Sequence, residues 1–150
     1  MNMLDAIMDI MVTAFDPHWG EAWSRVQVQG SLNLPNTHVI ILDAQGNPWA
    51  EETEPAGFLL SRSVTGEEEM LLVAVKPQFR GAGIGAALIE LFIDNAQHRG
   101  AELLFLEMRE NNPAIALYSR YAFEPIGRRR DYYTLSDKSK LDAITFRRKL

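Results

Sequence analysis

Two groups of residues have the types and spacing that chemistry needs. The first is Arg80-Gly81-Ala82-Gly83-Ile84-Gly85. It follows the apolar run Leu71 to Val75 after Lys76-Pro77, and it leads at once into the helical pattern Ala86-Ala87-Leu88-Ile89. A buried strand that passes through a glycine-rich loop into a helix N-terminus suits a phosphate. Glycines let the backbone approach, and the free N–H groups and helix dipole favour an anion. The second is Glu107, a carboxylate inside the apolar run Glu102 to Met108. An unpaired carboxylate in a buried strand is costly, so this one needs a partner or a task.

The loop is not a P-loop, because no Gly-Lys-Ser/Thr follows the glycines. Gly81, Gly83 and Ala86 fit the letters of the dinucleotide fingerprint, but that motif follows its strand directly and here Lys76 to Arg80 intervene. A tight strand-to-helix turn without a ligand is the structural alternative.

The rest of the chain must position these groups. A length of 150 residues with 47% apolar side chains suits one globular domain over residues 1–150. No apolar run is long enough to span a membrane, and the acidic, amphipathic N-terminus does not read as a signal peptide. The absence of cysteine excludes a disulfide frame, a thiolate metal site and a cysteine nucleophile, and it fits a cytoplasmic protein. A net charge of −5 argues against nucleic acid as the main partner and is compatible with a cationic substrate.

Leu4, Ile7, Met8, Met11, Val12 and Phe15 recur at helical spacing, so a first helix is expected to end near Asp16-Pro17. A second short helix is expected from Gly20 to about Gln29, with Trp19 and Trp23 most simply in core or inter-helix packing and a substrate-pocket role as the alternative. Strands are expected at His38–Asp43, at Trp49-Ala50 with Gly57–Ser61, and at Met70–Val75 after a Thr65-Gly66 turn. The helix Ala86 to Arg99 ends at Gly100 in the C′ position, with His98 and Arg99 in a favourable last turn. Asn112-Pro113 reads as an N-cap with proline at the first helical position, opening a helix that ends near Tyr121. The tail reads as strand, basic loop and strand. The order predicts an α+β (mixed α/β) fold with a central, mostly antiparallel sheet flanked by helices. Glu67, Glu68 and Glu69 read as a solvated hairpin edge, with a general-base role in rivalry to Glu107 as the alternative, and Arg128 to Arg130 as a solvated basic turn or a phosphate or substrate patch.

The spacing Arg-x-x-Gly-x-Gly, from Arg80 to Gly85, resembles the acyl-CoA signature of the GNAT N-acetyltransferase superfamily. Leu106-Glu107-Met108-Arg109 and the run Asn112 to Phe123 resemble a second block of that family, and Arg128 to Tyr133 with Asp142-Ala143-Ile144 a third. Together they are similar to the bacterial ribosomal-protein-alanine N-acetyltransferases of the Rim type. The resemblance is good from Gly57 to Arg147 and poor in the N-terminal third. Three departures stand out. Ala122 replaces a family glycine, expected to be a mild packing change. Leu72 stands where an Asn is usual, and the link from Glu107 to Tyr118 is one residue short.

The resemblance implies acetyl-CoA as cofactor. Backbone groups of Val73, Ala74 and Val75 would hold the pantetheine and acetyl carbonyl, and Arg80, Gly81, Ala82, Gly83, Ile84, Gly85 and Ala86 the pyrophosphate. The family's cofactor-contacting Asn is Asn111 or Asn112, depending on the end from which the short link is counted. The resemblance makes Glu107 the general base, directly or through water, against an ion pair with Arg109 or another basic residue. It makes Tyr118 the general acid, against simple packing with Ile115. Tyr132 and Tyr133 match the pair that lines the peptide site. With no cysteine available, direct transfer in a ternary complex is the simpler reading. The acceptor implied is a protein N-terminal alanine amine, on a ribosomal protein by resemblance, with no membrane and no direct nucleic-acid partner. A small amine as acceptor, or a non-catalytic acyl-CoA-binding module, are the alternatives. Retention of both Glu107 and Tyr118 argues against the module.

Overall fold

A computed structural model describes residues 1–150. Helix α1 (Met3–Ala14) and a 3₁₀ turn (Pro17–Trp19) precede α2 (Arg25–Leu32). Strands β1 (Thr37–Asp43), β2 (Pro55–Val64) and β3 (Glu67–Val75) lead to α3 (Ile84–His98). Then come β4 (Leu103–Arg109), α4 (Ile115–Arg120), β5 (Glu124–Thr134) and β6 (Lys140–Lys149). The strands form one sheet in the order β1-β2-β3-β4-β6-β5. Every pair is antiparallel except β3 with β4. The mostly antiparallel, mixed fold expected from the element order is the one observed.

Each face of the sheet carries its own core. Leu88, Ile89 and Phe92 of α3 pack with Leu59, Leu104, Leu106 and Phe146. Ile7, Ile10 and Met11 of α1 and Val28 of α2 pack with Phe58, Leu60 and Ala74. The alternation Leu59/Leu60 sends neighbours to opposite cores, as strand geometry requires. Helix α3 lies so close that a Cβ at Gly57 would stand 3.0 Å from Ile84 Cγ2 and 3.2 Å from Leu88 Cδ1.

The parallel pair makes the cleft. Strands β3 and β4 are in register only from Glu67↔Leu103 to Met70↔Leu106. Beyond that β3 stays paired to β2 as far as Val75, and β4 stays paired to β6 as far as Arg109. The two therefore diverge, each with one unpaired edge facing the gap. The register Leu60↔Leu72 is followed by Ser61↔Met70, which leaves Leu71 as an extra residue in β3. A bulge of this kind bends its strand, and here it falls where the strands part.

Helix α4 is short and is fixed by its C-terminus. The Phe123 N–H donates to the Tyr118 carbonyl at 3.1 Å and the Ala122 N–H to Ser119 at 3.1 Å. The rings of Tyr118 and Phe123 meet edge to face, 6.1 Å apart. These are the two hydrogen bonds and the apolar contact of a Schellman motif, whose C′ position favours glycine. Ala122 occupies it with φ 66°. The substitution thus bears on backbone strain rather than on packing, a correction to the expectation from sequence. Ala122→Gly is expected to stabilise the protein by about 1 kcal/mol, the order of the cost of a left-handed L-residue. Urea denaturation would check it, and a loss of stability would contradict it.

Three local expectations change. The second helix begins later, at Arg25, because Ser24 and Gln27 close a capping box and Gly20 at φ 67° turns the chain before it. Trp49-Ala50 lies in a loop, held by Trp49 Nε1–H donating to the Thr53 carbonyl at 2.8 Å. The segment Arg128 to Arg130 is not a loop but part of β5, with Arg128 and Arg129 paired to Ile144 and Ala143 of β6.

Glu68 is also not solvated. Alternation turns it inward, where its side chain is fully buried and accepts from Arg99 Nε at 2.8 Å, Arg99 Nη2 at 2.6 Å and Ser61 Oγ at 3.1 Å. Arg99→Ala would leave a buried carboxylate uncompensated. Because Arg99 is itself about a third exposed, the loss should sit near the low end of the range for broken buried pairs, about 3 kcal/mol. Chemical denaturation measures it, and a change within experimental error would show that the pair holds little.

Candidate active site

The gap between β3 and β4 opens into a cavity of about 790 Å³. One side is built by Met70 to Val75, the far end by Arg80, Gly81 and Gly83 to Ala86, and the other side by Glu107, Met108 and Arg109. Tyr118 and Leu117 of α4 close the floor, and Trp19, Trp23, Tyr132 and Tyr133 stand at the opposite end. Val73 and Val75 send side chains to the α3 core, while their backbone lies on the unpaired edge.

The glycine loop is open where an anion would sit. Gly81 and Gly83 have φ of 82° and 85°, and a Cβ on either would meet no atom within 4 Å. Helix α3 begins without a side-chain cap, so its first N–H groups are unclaimed by the chain and face the same space. Arg80 ties the loop in place, donating from Nη2 to the Ala14 carbonyl at 2.6 Å and from Nε to the Val75 carbonyl at 3.2 Å. Ala82 is exposed and does not line the cavity. This geometry fits a pyrophosphate beside an extended pantetheine arm. Gly83→Val would force a β-branched residue to positive φ and fill the anion's space. Acetyl-CoA affinity is expected to fall about tenfold or more, the equivalent of 1.4 kcal/mol. Calorimetry on a folded variant would check this, and unchanged affinity would remove the loop from the binding site.

Glu107 lies on the sheet face opposite α3, with Leu104, Leu106 and Met108 turned the other way into the core. Its side chain is 17% exposed. Thr145 Oγ1 donates to Oε2 at 2.8 Å, and Arg129 Nε lies 2.9 Å from the same oxygen. The ion pair is with Arg129 rather than Arg109. Arg109 instead stacks on Trp19, 4.0 Å from the ring centroid, and approaches Glu21 at 3.2 Å. Its Nε–H makes no aligned hydrogen bond, so the contact is a close charge pair.

Glu69 joins Glu107 through the sheet register, since Glu69 pairs with Phe105 and residues two apart share a face. Although the residue is exposed overall, partial desolvation shifts its pKa upward, and the charge of Glu107 adds to that shift. A second cavity of about 350 Å³, lined among others by Arg62, Glu67, Phe105, Arg129 and Thr145, meets the first at Glu69 and Glu107.

Tyr118 is 2% exposed, and burial pushes its pKa well above the ordinary value of 10. It therefore keeps its proton at any working pH and offers a hydrogen-bond donor to the cleft. Asn112 lines the cavity but is not the N-cap expected from sequence: α4 starts at Ile115 after an uncapped Ala114, and Asn112 Oδ1 accepts from the Ala114 N–H at 2.9 Å in the turn before the helix. Asn111 lies outside the cavity lining and accepts from Arg109 Nη1 at 2.7 Å. Tyr132 and Tyr133 meet edge to face at 5.1 Å, and burial raises the Tyr133 pKa to about 12. The Ser136 N–H donates to the His18 carbonyl at 3.0 Å, which ties the tip of the β5–β6 hairpin to the turn carrying Trp19. Sequence reasoning missed the contact of Arg129 with Glu107, the part played by Thr145, and the grouping of Arg109 and Trp19 with Glu21. Only the phase of β5 and β6 could have signalled the first two.

Residues 4–123 match the sequence profile of the acetyltransferase (GNAT) family. A [ribosomal protein bS18]-alanine N-acetyltransferase of Escherichia coli strain K12 is 33% identical over 133 residues, 76% of this chain and 89% of that one. A putative enzyme of the same name from Bacillus subtilis strain 168 is 26% identical over 132 residues, 87% of this chain and 81% of that one. Among solved structures, the Escherichia coli ribosomal-protein-S18-alanine N-acetyltransferase superposes with a TM-score of 0.82 at 27% identity, over 99% of this chain and 90% of that one. Arabidopsis thaliana NAA60 in complex with acetyl-CoA shares the fold at 20% identity, with a TM-score of 0.77 over 98% and 93%.

Proposed function

The chain belongs to the acetyltransferase (GNAT) family and is an acetyl-CoA-dependent N-acetyltransferase, and from that premise we propose that its acceptor is the α-amine of a protein N-terminus beginning with alanine. The single observation that carries the reading is the place of Glu107. Its carboxylate stands where the cofactor cleft meets the open face of the sheet, beside the wall formed by Trp19, Tyr132 and Tyr133. The two bS18-alanine N-acetyltransferases reported above support a ribosomal protein as the source of that N-terminus.

Acetyl-CoA supplies an activated thioester. The chain's own groups do the rest. The unpaired edge of Val73 to Val75 offers backbone donors and acceptors to the pantetheine and acetyl carbonyl. The glycine loop and α3 N-terminus take the pyrophosphate, with Asn112 at the cavity wall and Asn111 behind it. An α-amine has a pKa near 8, so at neutral pH a proton must leave before attack. Glu107 takes that proton. Tyr118 donates a hydrogen bond at the sulfur as charge develops there. A thiol has a pKa near 8.5, below that of a buried phenol, so the tyrosine contributes mainly through that bond and only partly through transfer. With no cysteine in the chain to carry an acyl group, direct transfer in a ternary complex is the simpler course.

Turnover of acetyl-CoA with a short Ala-starting peptide, set against a panel of polyamines, amino acids and aminoglycosides, tests the acceptor. The peptide is expected to have the highest kcat/KM. A small amine that exceeds it would move the assignment to the small-molecule acetyltransferases of the family.

A further inference from the structure

The Arg129 guanidinium lies against the carboxylate that the proposed reaction uses. Its Nε is 2.9 Å from Glu107 Oε2, the separation at which an acceptor nitrogen would hand over its proton. Thr145 already donates to that oxygen, and the guanidinium lies beside it as a close charge pair. An acceptor ammonium and Arg129 thus compete for the same carboxylate.

Arg129 is built to leave. Its side chain is 63% exposed, and surface ion pairs hold weakly. It stands at the edge of an irregular stretch of β5, where the register jumps from Arg129↔Ala143 to Tyr133↔Leu141. Asp131, in that stretch, has φ 52° and is held by Asp142, whose Oδ1 accepts from its N–H at 2.9 Å. The jump brings the Tyr132 ring to 5.6 Å from the guanidinium, a second resting place for the cation on an aromatic face.

We propose that Arg129 is a placeholder for the acceptor's ammonium. With no acceptor bound it neutralises Glu107, and the incoming amine displaces it towards Tyr132. Acceptor binding is then an exchange of one cation for another, and Glu107 is never left as an uncompensated, half-buried charge. The exchange also favours acceptors that arrive charged, since a neutral group gains nothing by evicting the guanidinium.

The proposal rests on Glu107 as the group that receives the acceptor, and its test measures binding without turnover. Calorimetry with coenzyme A present gives the affinity for an Ala-starting peptide in the wild type and in Arg129→Ala. Arg129→Met, which keeps the stem against Tyr132 and drops the charge, guards against a packing effect. Both variants are expected to bind the peptide about two- to fivefold more tightly, the range a surface ion pair spans. The same changes in a Glu107→Gln background should bring no gain, because the contact they relieve is gone. Weaker or unchanged binding in folded Arg129 variants would overturn the proposal, as would an equal gain in the Glu107→Gln background. If Glu107→Gln retained full turnover, the base assignment would fail separately, whatever the binding series showed.

Discussion

Glu107→Gln is expected to lower turnover of an Ala-starting peptide by about 10²–10⁴-fold at pH 7, the range a positioned general base contributes. The substitution is nearly isosteric. The amide oxygen can still accept from Thr145, so the fold should hold, and cofactor affinity should hold with it. Lost are the ion pair to Arg129 and the capacity to take a proton. The defect should also shrink as pH rises past 8, because the acceptor's own amine then loses its proton without help. That pH dependence separates a base from a residue that merely binds. Steady-state kcat/KM between pH 6.5 and about 9.5 reads both effects. A variant within tenfold of wild type at neutral pH would show that water or another group, with Glu69 the nearest candidate, does the work.

Tyr118→Phe is expected to lower kcat by about 10²–10³-fold, the cost of removing one aligned donor from a developing negative charge. The ring stays, so the contact with Phe123 and the Schellman turn that sets α4 stay too. KM for acetyl-CoA should barely move. The sign of the pH effect follows from burial. A phenol whose pKa is raised above 10 holds its proton throughout the working range, so Tyr118 should contribute no alkaline limb below about pH 10. An alkaline limb that vanishes in Tyr118→Phe would mean the hydroxyl is far more exposed in the working enzyme than here. A kcat within about twofold of wild type would make Tyr118 a packing residue.

Much of the site was legible because its parts obey local rules. The glycines at Gly81 and Gly83 could be read as an anion loop because they fall between an apolar run and a helical pattern, where bare backbone can approach an anion. Glu107 stood out because a carboxylate interrupts an apolar strand. What stayed hidden depends on phase and partner. Leu71 is a bulge, yet the run Leu71 to Val75 is apolar at every position, so nothing in it marks where the alternation slips. The tract Glu67 to Glu69 looked uniformly solvated because charge alone does not say which residue of three turns inward. Glu68 does, and it finds Arg99 at the end of α3. Strand β5 is exposed almost along its whole length, so no burial pattern distinguished it from a basic loop, and the contact of Arg129 with Glu107 went with it. The parting of β3 and β4, which makes the cleft, is a property of pairing between distant segments and has no local signature.

The most direct test of the account is to place the transferred group. An Ala-starting peptide with an internal lysine, incubated with the protein and acetyl-CoA, should gain one acetyl group, and tandem mass spectrometry should locate it on the α-amine. Acetylation confined to the lysine side chain, or no peptide acetylation while a small amine is turned over, would contradict the account.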